Sequence, residues 1–191
     1  MITLAADTSL PLLSVALLRD DDLVAAAALE GKGSRNEKLL PAIDWLLAEA
    51  GIDRREIDLF AVTRGPGSFT GVRIGLATIQ GLALALGKPV CAMSTHEAIA
   101  PQTGEATIVD DAGRGEYYVS YYLDGREVRA PHLAKSASGL TVAEFLRTGN
   151  VAASCARRAR AIAQAGALDR YADVTPIYVR LAEAEEKLKR G

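Results

Sequence analysis

Apolar runs separated by polar turn residues open the chain and predict a β-meander. The runs cover residues 2–6, 12–18 and 23–29, and the turns between them contain Asp and Ser. Runs of this length that are bounded by such residues are typical of strands. The chain therefore begins with three strands, and the first of them ends at the carboxylate of Asp7.

Two later segments carry apolar residues at helical spacing. The first helix is predicted over residues 34–50, and the second over 69–86, after a strand at 57–63. Arg73 is the only charged residue between Ser68 and Leu86. A helix that is apolar on nearly all sides must be covered on nearly all sides. Either a partner protein or the rest of the monomer provides that cover.

The second half of the chain repeats the order of strand, carboxylate and turn. A strand at 106–109 reaches Asp110 and Asp111, and a hairpin turns at Asp124-Gly125. Two lobes built in this way predict an α/β, actin/Hsp70-like (ASKHA) two-lobe fold, with mixed β-sheets flanked by helices and a ligand cleft between the lobes. The predicted boundary gives an N-terminal lobe at 1–100 and a smaller C-terminal lobe at 101–191. Further predicted elements are helices at 94–100, 141–147 and 156–165, and strands at 90–93 and 151–153.

A glycine-rich segment from Gly65 to Gly75 joins the strand at 57–63 to the second helix. This order of elements directs backbone N–H groups at an anion. Its glycines do not follow the G-x-G-x-x-G spacing, and no Lys-Ser/Thr pair follows as in a Walker A loop. Carboxylates at the first strand ends of both lobes either hold a hydrated magnesium ion on a nucleotide or only form turns. The candidates for a degenerate nucleotide loop are Asp7, Thr8, Ser9, Gly65, Gly67, Ser68 and Asp111.

Composition narrows the function classes. The chain has 191 residues, a net charge of −2 and 49% hydrophobic residues. These values predict a real core and argue against a disordered protein or a direct nucleic-acid binder. The two cysteines and two histidines form no metal-binding motif, so no metal site and no catalytic residue are assigned. The basic cluster at 157–160 predicts a solvated face or a minor RNA contact.

The ends and apolar runs of the chain predict a cytoplasmic protein. The first residues lack the basic region of a signal peptide. The apolar run at 74–86 is expected to be too short and too polar to span a bilayer. Two widely spaced cysteines suit a reducing compartment.

Several motifs together resemble the bacterial TsaB (YeaZ) family. The most specific is Arg64-Gly-Pro-Gly-Ser-Phe-Thr-Gly-Val-Arg-Ile-Gly75. Others are Ala5-Ala-Asp-Thr-Ser9, Glu37-Lys-Leu-Leu-Pro41, Gln80-Gly-Leu-Ala83 and Pro176-Ile-Tyr-Val-Arg180. The resemblance is continuous over the first lobe and patchy over the second.

The resemblance implies a non-catalytic partner of TsaD, the subunit that makes N6-threonylcarbamoyladenosine in tRNA, with the ATPase TsaE joining. It implies that ATP, ADP and divalent metal belong to the partner subunits, and that tRNA is contacted only through the complex. It also implies dimerisation through the two helices of the first lobe, with TsaD or as a homodimer. The small residues at 71, 75 and 78, and again at 77, 81 and 85, predict close approach of a partner helix. The partner-interface candidates are Asn36, Leu40, Asp44, Gly71, Val72, Gly75, Thr78, Ile79 and Leu82.

Three departures from the family pattern weaken a working nucleotide site in this chain. Ser34-Arg35-Asn36 stands where relatives often carry a histidine, Gly113 replaces an arginine, and the second lobe is short. An active ATPase or small-molecule kinase of the same fold is the alternative function. A peptidase has less support, because no nucleophile array and no metal pair are present in the sequence.

Overall fold

A five-stranded mixed sheet forms the centre of the first half of the molecule. The computed structural model describes residues 1–30 and 35–180, with only the backbone for residues 35 and 36. The strand order is β3-β2-β1-β4-β5, with β1, β2 and β3 antiparallel and β4 and β5 parallel to β1. The strands are β1 (Ile2–Asp7), β2 (Leu13–Arg19), β3 (Asp22–Leu29), β4 (Leu59–Thr63) and β5 (Val90–Met93).

Both faces of this sheet are covered, as the runs of apolar residues in its central strands require. Successive residues of β1 point to opposite faces, so Leu4 and Ala6 enter one core and Ala5 enters the other. Two helices cover the first face, with Leu39 and Ile79 among the residues they bury against it. These helices are α1 (Arg35–Ala50) and α2 (Phe69–Leu86).

A long helix covers the opposite face, and a second, four-stranded sheet shares the core that forms there. The order of the second sheet is β8-β7-β6-β9. The long helix packs on β1, β2 and β4 of the first sheet, so it joins the two sheets into one continuous core. The elements are α3 (Thr95–Ile99), β6 (Glu105–Gly113), β7 (Glu116–Leu123), β8 (Arg126–Ala134), β9 (Leu140–Thr141), α4 (Val142–Phe145) and α5 (Val151–Gln164), with 3₁₀ turns at Arg54–Glu56 and Leu168–Tyr171.

The structure corrects one predicted element. Residues 151–153, expected to be a strand, form the first turn of α5. The side chain of Asn150 accepts a hydrogen bond of 2.9 Å from the amide of Ala153 and caps that helix. The two sheets divide between β5 and β6, near the predicted lobe boundary at 100–101, whereas α5 returns to the first sheet. The lobe boundary stays a prediction.

Helix α2 begins and ends with the residues that its sequence provides. Ser68 caps the first turn by accepting from the amide of Gly71, and Gly87 ends the helix in the left-handed conformation. The helix has 18 residues and by length and composition alone passes as a membrane span, which corrects the expectation of too short a run. Its buried side chains, however, pack on the first sheet, as in a helix that covers a soluble core.

Candidate functional site

The ends of β1 and β4 bring the predicted carboxylate to the edge of the first sheet. The two strands are parallel neighbours, with Ala6 opposite Val62, so Asp7 and Thr63 emerge side by side. Oδ1 of Asp7 accepts hydrogen bonds from the Thr63 hydroxyl, from the Ser9 hydroxyl at 2.6 Å and from the Ser9 amide at 3.2 Å. These bonds fix the carboxylate beneath the loop that follows β1.

This loop packs directly, backbone to backbone, against the start of α2. The Ser68 amide donates to the carbonyl of Ser9 at 2.7 Å, and the Thr8 hydroxyl donates to the carbonyl of Gly71 at 2.6 Å. A Cβ added at Gly67 would overlap the Ser9 carbonyl, and one added at Gly71 would overlap the Thr8 carbonyl. The glycines therefore allow two segments of the same chain to touch.

Burial raises the pKa of two acidic residues, Asp7 and Asp110. Desolvation raises the pKa of Asp7, and the hydrogen bonds from Ser9 and Thr63 oppose that rise. Desolvation also raises the pKa of Asp110 to about 6, and the negative charges of Asp111 and Asp7 raise it further. Asp7 and Asp110 are thus near enough for their negative charges to interact.

A cleft of about 500 Å³ lies between the two sheets. Ser9, Gly67 and Ser68 line one side of it, and Asp110, Asp111 and Gly113 line the other. Among the described residues that line this cleft, two are carboxylates and none is a lysine or arginine. No group of three potential metal-ligating side chains occurs within the described ranges.

The predicted nucleotide-loop residues are brought together only in part. Asp7 and Thr8 are fully buried beneath the cleft, and Gly65 lies under a later segment. Asp111 is exposed, and its carboxylate accepts from the Gly113 amide at 2.7 Å. Asp110 is the more buried carboxylate of the pair, so it is the nearer counterpart of Asp7.

A strap formed by residues 173–180 crosses the glycine loop, the glycine-rich segment between β4 and α2. This strap was not predicted. The Ile177 amide donates to the Arg64 carbonyl at 2.7 Å, and the Arg64 guanidinium pairs with Asp173 at 2.9 Å. A Cβ on Gly65 would come within 2.9 Å of the Ile177 carbonyl. The strap therefore closes over the loop from outside.

Aromatic and charged side chains hold the strap to both halves of the molecule. Tyr178 stacks on Phe69 with ring centroids 4.7 Å apart, and its hydroxyl accepts from Arg73 Nε at 2.7 Å. Arg180 donates to the Ala112 carbonyl at 2.8 Å and pairs with Glu116. The motif at 176–180 was the sequence signal for this strap, although its contacts are long-range.

The structure gives a different role to four of the predicted interface residues. Gly71, Val72, Gly75 and Ile79 are buried within the monomer, on the face of α2 that packs on the first sheet. A Cβ on Gly75 would overlap the Thr8 hydroxyl, so its small size serves Thr8 rather than a partner helix. Their burial within the monomer argues against direct contact with a partner, and their place in an interface stays a prediction.

The outer face of α2 is largely apolar, and Gln80 is an exposed polar residue on it. Ala77, Gly81, Leu84 and Ala85 are exposed at helical spacing, and Leu84 is 82% exposed. Thr78 and Leu82 are half-buried. We call Ala77, Gly81, Leu84 and Ala85 the outer face of α2.

On α1, two large apolar side chains are also exposed. Leu40 is 46% exposed and Trp45 is 53% exposed. Asp44 forms a surface ion pair with Arg54 at 3.2 Å. Asn36 lies among the residues whose side chains are outside the described set.

Comparisons with known proteins agree with this architecture. A family model described as "TsaD: tRNA N6-adenosine threonylcarbamoyltransferase" matches residues 33–173. The chain is 35% identical over 126 residues to the tRNA threonylcarbamoyladenosine biosynthesis protein TsaB of Bacillus subtilis (strain 168), covering 64% of this chain and 55% of the relative. YeaZ from Pseudomonas aeruginosa superposes with a TM-score of 0.74 at 26% identity, covering 93% of this chain and 99% of that chain.

The chain belongs to the TsaB/YeaZ family. The predicted actin/Hsp70-like α/β fold is confirmed by the match to YeaZ over almost the whole chain. TsaB of Escherichia coli (strain K12) is 36% identical over 128 residues, which again cover 64% of this chain and 55% of the relative. The chain thus spans little more than half the length of these two curated TsaB relatives.

Within this TsaB/YeaZ chain, the basic cluster at 157–160 is not a solvated face. Arg158 is 10% exposed and lies 3.4 Å from Glu97, while Arg160 pairs with Asp21. Only Arg157 of the three arginines is exposed. A second basic run of the sequence, residues 187–190, lies outside the described residues.

Proposed function

We propose that this chain is a non-catalytic subunit of the tRNA N6-threonylcarbamoyladenosine modification system, where it binds and supports the catalytic TsaD subunit. The TsaB relatives are named for this biosynthesis, and the TsaD model matches most of the chain. The proposal places the chain in the cytoplasm. The observation that carries it is the exposed outer face of α2.

The outer face of α2 is suited to a helix from a partner. Its small residues permit a close approach of backbones, and Gly81 has nothing within 4 Å of the position of a Cβ. Burial of Leu84 alone would contribute about 2 kcal/mol, because an exposed leucine side chain leaves water on contact. Leu40 and Trp45 on α1 are further exposed apolar side chains, and Trp45 lines a separate groove with Ala27 and Leu29 of β3. Aromatic anchors of this kind are enriched at interfaces.

The composition of the cleft supports the absence of catalysis by this chain. Its lining carries two carboxylates and no lysine or arginine among the described residues, and the nearest arginines, Arg114 and Arg180, line the adjoining pocket instead. The Ser68 amide at the start of α2 is already bonded to Ser9, so it is not offered to a phosphate. We therefore assign ATP, ADP and divalent metal to the partner subunits TsaD and TsaE, and tRNA contact to the assembled complex.

Light-scattering mass tests the proposal. The chain is measured alone and mixed with TsaD from the same organism, and a species at the heterodimer mass is expected. The mass of the chain alone separates a monomer from a homodimer. No complex with TsaD at micromolar concentrations would contradict the proposal.

Substitutions in the outer face then locate the interface. Gly81→Arg and Leu84→Asp are expected to abolish the heterodimer while leaving the monomer folded, since both positions are exposed. Val128→Asp is the matched control, because Val128 is an exposed apolar residue on β8, outside this face. Equal loss of binding in the control would point to a general effect of added charge.

An active ATPase or small-molecule kinase is the second candidate, favoured by the neighbouring carboxylates Asp7 and Asp110. This function needs a divalent metal between the carboxylates and the nucleotide. It predicts ATP turnover by the chain alone, abolished by Asp7→Asn. Under the partner-subunit proposal, Asp7→Asn leaves the activity of the reconstituted system largely intact.

A further inference from the structure

A second cavity, of about 540 Å³, is separate from the cleft described above. It lies between the hairpin β7-β8, helix α5 and the 3₁₀ turn at Leu168–Tyr171. Its lining is rich in arginine although the whole chain has a net charge of −2. We call it the arginine cavity. Its charged lining residues are Arg64, Arg126, Arg158, Arg170, Glu97 and Glu127.

The floor of the arginine cavity is a fixed polar network. Tyr171 donates from its hydroxyl to Glu97 at 2.6 Å, and Arg158 Nε lies 3.4 Å from the same carboxylate. Arg158 also donates to the Gly125 carbonyl in the hairpin turn. Glu97 is thus already shared by two partners and compensates Arg158.

Two of the remaining arginines have no such compensation. Arg64 is engaged by Asp173 and by the Thr175 carbonyl. Arg126 and Arg170 have no side-chain hydrogen bond or ion pair to any described residue. Two guanidinium groups in one cavity repel each other, and they are the side chains best suited to bind carboxylate or phosphate oxygens in pairs.

A third observation also indicates a missing acceptor. The side chain of Arg158 is only 10% exposed, and its buried Nη1 has no hydrogen-bond partner within the described residues. A buried donor without a partner costs free energy, and native proteins rarely leave one unsatisfied.

The backbone at both arginines is anchored, while their side chains are exposed to solvent. The turn before Arg126 is tied down by the Gly104 amide, which donates to Asp124 at 2.8 Å. Arg170 precedes Tyr171, whose hydroxyl is fixed on Glu97. Anchoring of the backbone reduces the entropy lost on association.

We propose that the arginine cavity binds a small organic dianion, with Arg126 and Arg170 as its principal contacts. With Asp173, which pairs with Arg64, the charged groups of the cavity sum to a surplus of one positive charge, and Arg126 and Arg170 are the guanidinium groups left to contact the anion. The volume lies in the range of small-molecule sites. Pro131, Ile177 and the ring of Tyr171 supply apolar walls for the body of the ligand. Phosphate monoesters and dicarboxylates share this chemistry.

Calorimetric titration of the isolated chain with glycerol 3-phosphate and with succinate tests the proposal and separates the two sources. Ionic strength is kept constant with sodium chloride, which controls for simple screening. Binding of one dianion in the millimolar range or tighter is expected. In NMR spectra, the amide signals of Gly125 and Tyr171 are expected to shift on addition of that dianion.

Arginine variants locate the site. The double variant Arg126→Ala/Arg170→Ala is expected to weaken binding at least about tenfold, since charge-assisted hydrogen bonds are lost. The Lys/Lys variant retains charge without the planar fork and is expected to be intermediate. Arg157→Ala on α5 is the control, because Arg157 is exposed and does not line the cavity.

Two results would overturn the proposal. One is the absence of heat and of amide shifts with both dianions at millimolar concentration. The other is binding that the Arg126→Ala/Arg170→Ala variant, still folded by circular dichroism, retains in full. Neither result depends on TsaD, so the outcome is independent of the proposed partner function.

Discussion

The hydroxyl of Thr8 donates a 2.6 Å hydrogen bond to the carbonyl oxygen of Gly71, and thereby joins the loop after β1 to the first turn of α2. This contact exists because Gly71 has no side chain at the point where the two backbones meet. The glycine-rich loop of this TsaB/YeaZ chain is therefore packed against the loop that follows β1.

Gly71→Ala tests this packing. The added Cβ would overlap the Thr8 carbonyl, a backbone atom that cannot turn away. We expect a loss of about 1–3 kcal/mol in the free energy of unfolding, as in other overpacked sites. Urea denaturation of Gly71→Ala measures it. Gly81→Ala is the control, where the Cβ is unobstructed and helix propensity predicts a gain of up to about 1 kcal/mol. Equal midpoints would contradict the packing.

The buried His96 makes the fold sensitive to acid. Burial lowers the pKa of His96 from 6.5 to about 3, so the native state excludes a proton that the unfolded chain accepts. The contribution of neutral His96 is complete above pH 6.5 and is lost as pH falls toward 3. We expect His96 to lower the free energy of unfolding by about 1.2 kcal/mol when the pH falls from 7 to 5.5. Denaturation of His96→Gln at both pH values measures the difference, with His132→Gln as control. An unchanged pH slope in His96→Gln would show that another group is responsible.

Asp110 gives stability the opposite dependence on pH from that of His96. Desolvation raises its pKa from 3.8 to about 6, so the native state holds the proton more tightly than the unfolded chain. Its contribution to stability is lost as pH rises through about 6. At pH 7, Asp110→Asn is expected to stabilise the chain by about 1–3 kcal/mol, with a smaller gain at pH 4. A thermal melt at each pH checks this. Destabilisation by Asn at pH 7 would mean that a favourable partner holds the ionised carboxylate.

Tyr178 is expected to anchor the strap to the first lobe. Tyr178→Ala removes the stack on Phe69 and the bond from Arg73, with an expected loss of about 1–2 kcal/mol. Tyr178→Phe removes only the bond and should lose less than half of that. Hydrogen exchange of the Ile177 amide, which reports opening of the strap, is expected to accelerate in Tyr178→Ala. Tyr117→Phe, at another exposed tyrosine, is the control. Unaltered exchange in Tyr178→Ala would mean that Arg64 and Arg180 suffice to hold the strap.

The local patterns of the sequence were enough to predict most of the fold. Strand β1 follows from a bounded apolar run and helix α2 from apolar residues at helical spacing, which are local patterns. The caps of α2, Ser68 and Gly87, also act locally. The start of α5 was missed because an apolar run of three residues suits a strand as well as a buried helix. Asn150 was the available signal, since it caps that helix.

The departures from prediction at the candidate site have a common cause in contacts that are distant along the chain. The spacing of Gly71 and Gly75 indicates that some backbone approaches closely, but it cannot say that the approaching segment is Thr8. In the same way, the buried pairing of Arg158 with Glu97 depends on a residue 61 positions earlier in the sequence. The run of arginines along the helix therefore predicted a solvated face, whereas the tertiary structure places an acidic partner, Glu97, beside Arg158.

The strap has a consequence for synthesis of the chain. Arg64 pairs with Asp173 across 109 residues, and Arg73 bonds Tyr178 across 105. On the ribosome, the glycine loop leaves the exit tunnel long before the segment that covers it, because translation proceeds from the amino terminus. The loop around Gly65 therefore stays open to solvent and chaperones until residues 173–180 emerge, and its closure is a late event in folding of the newly made protein.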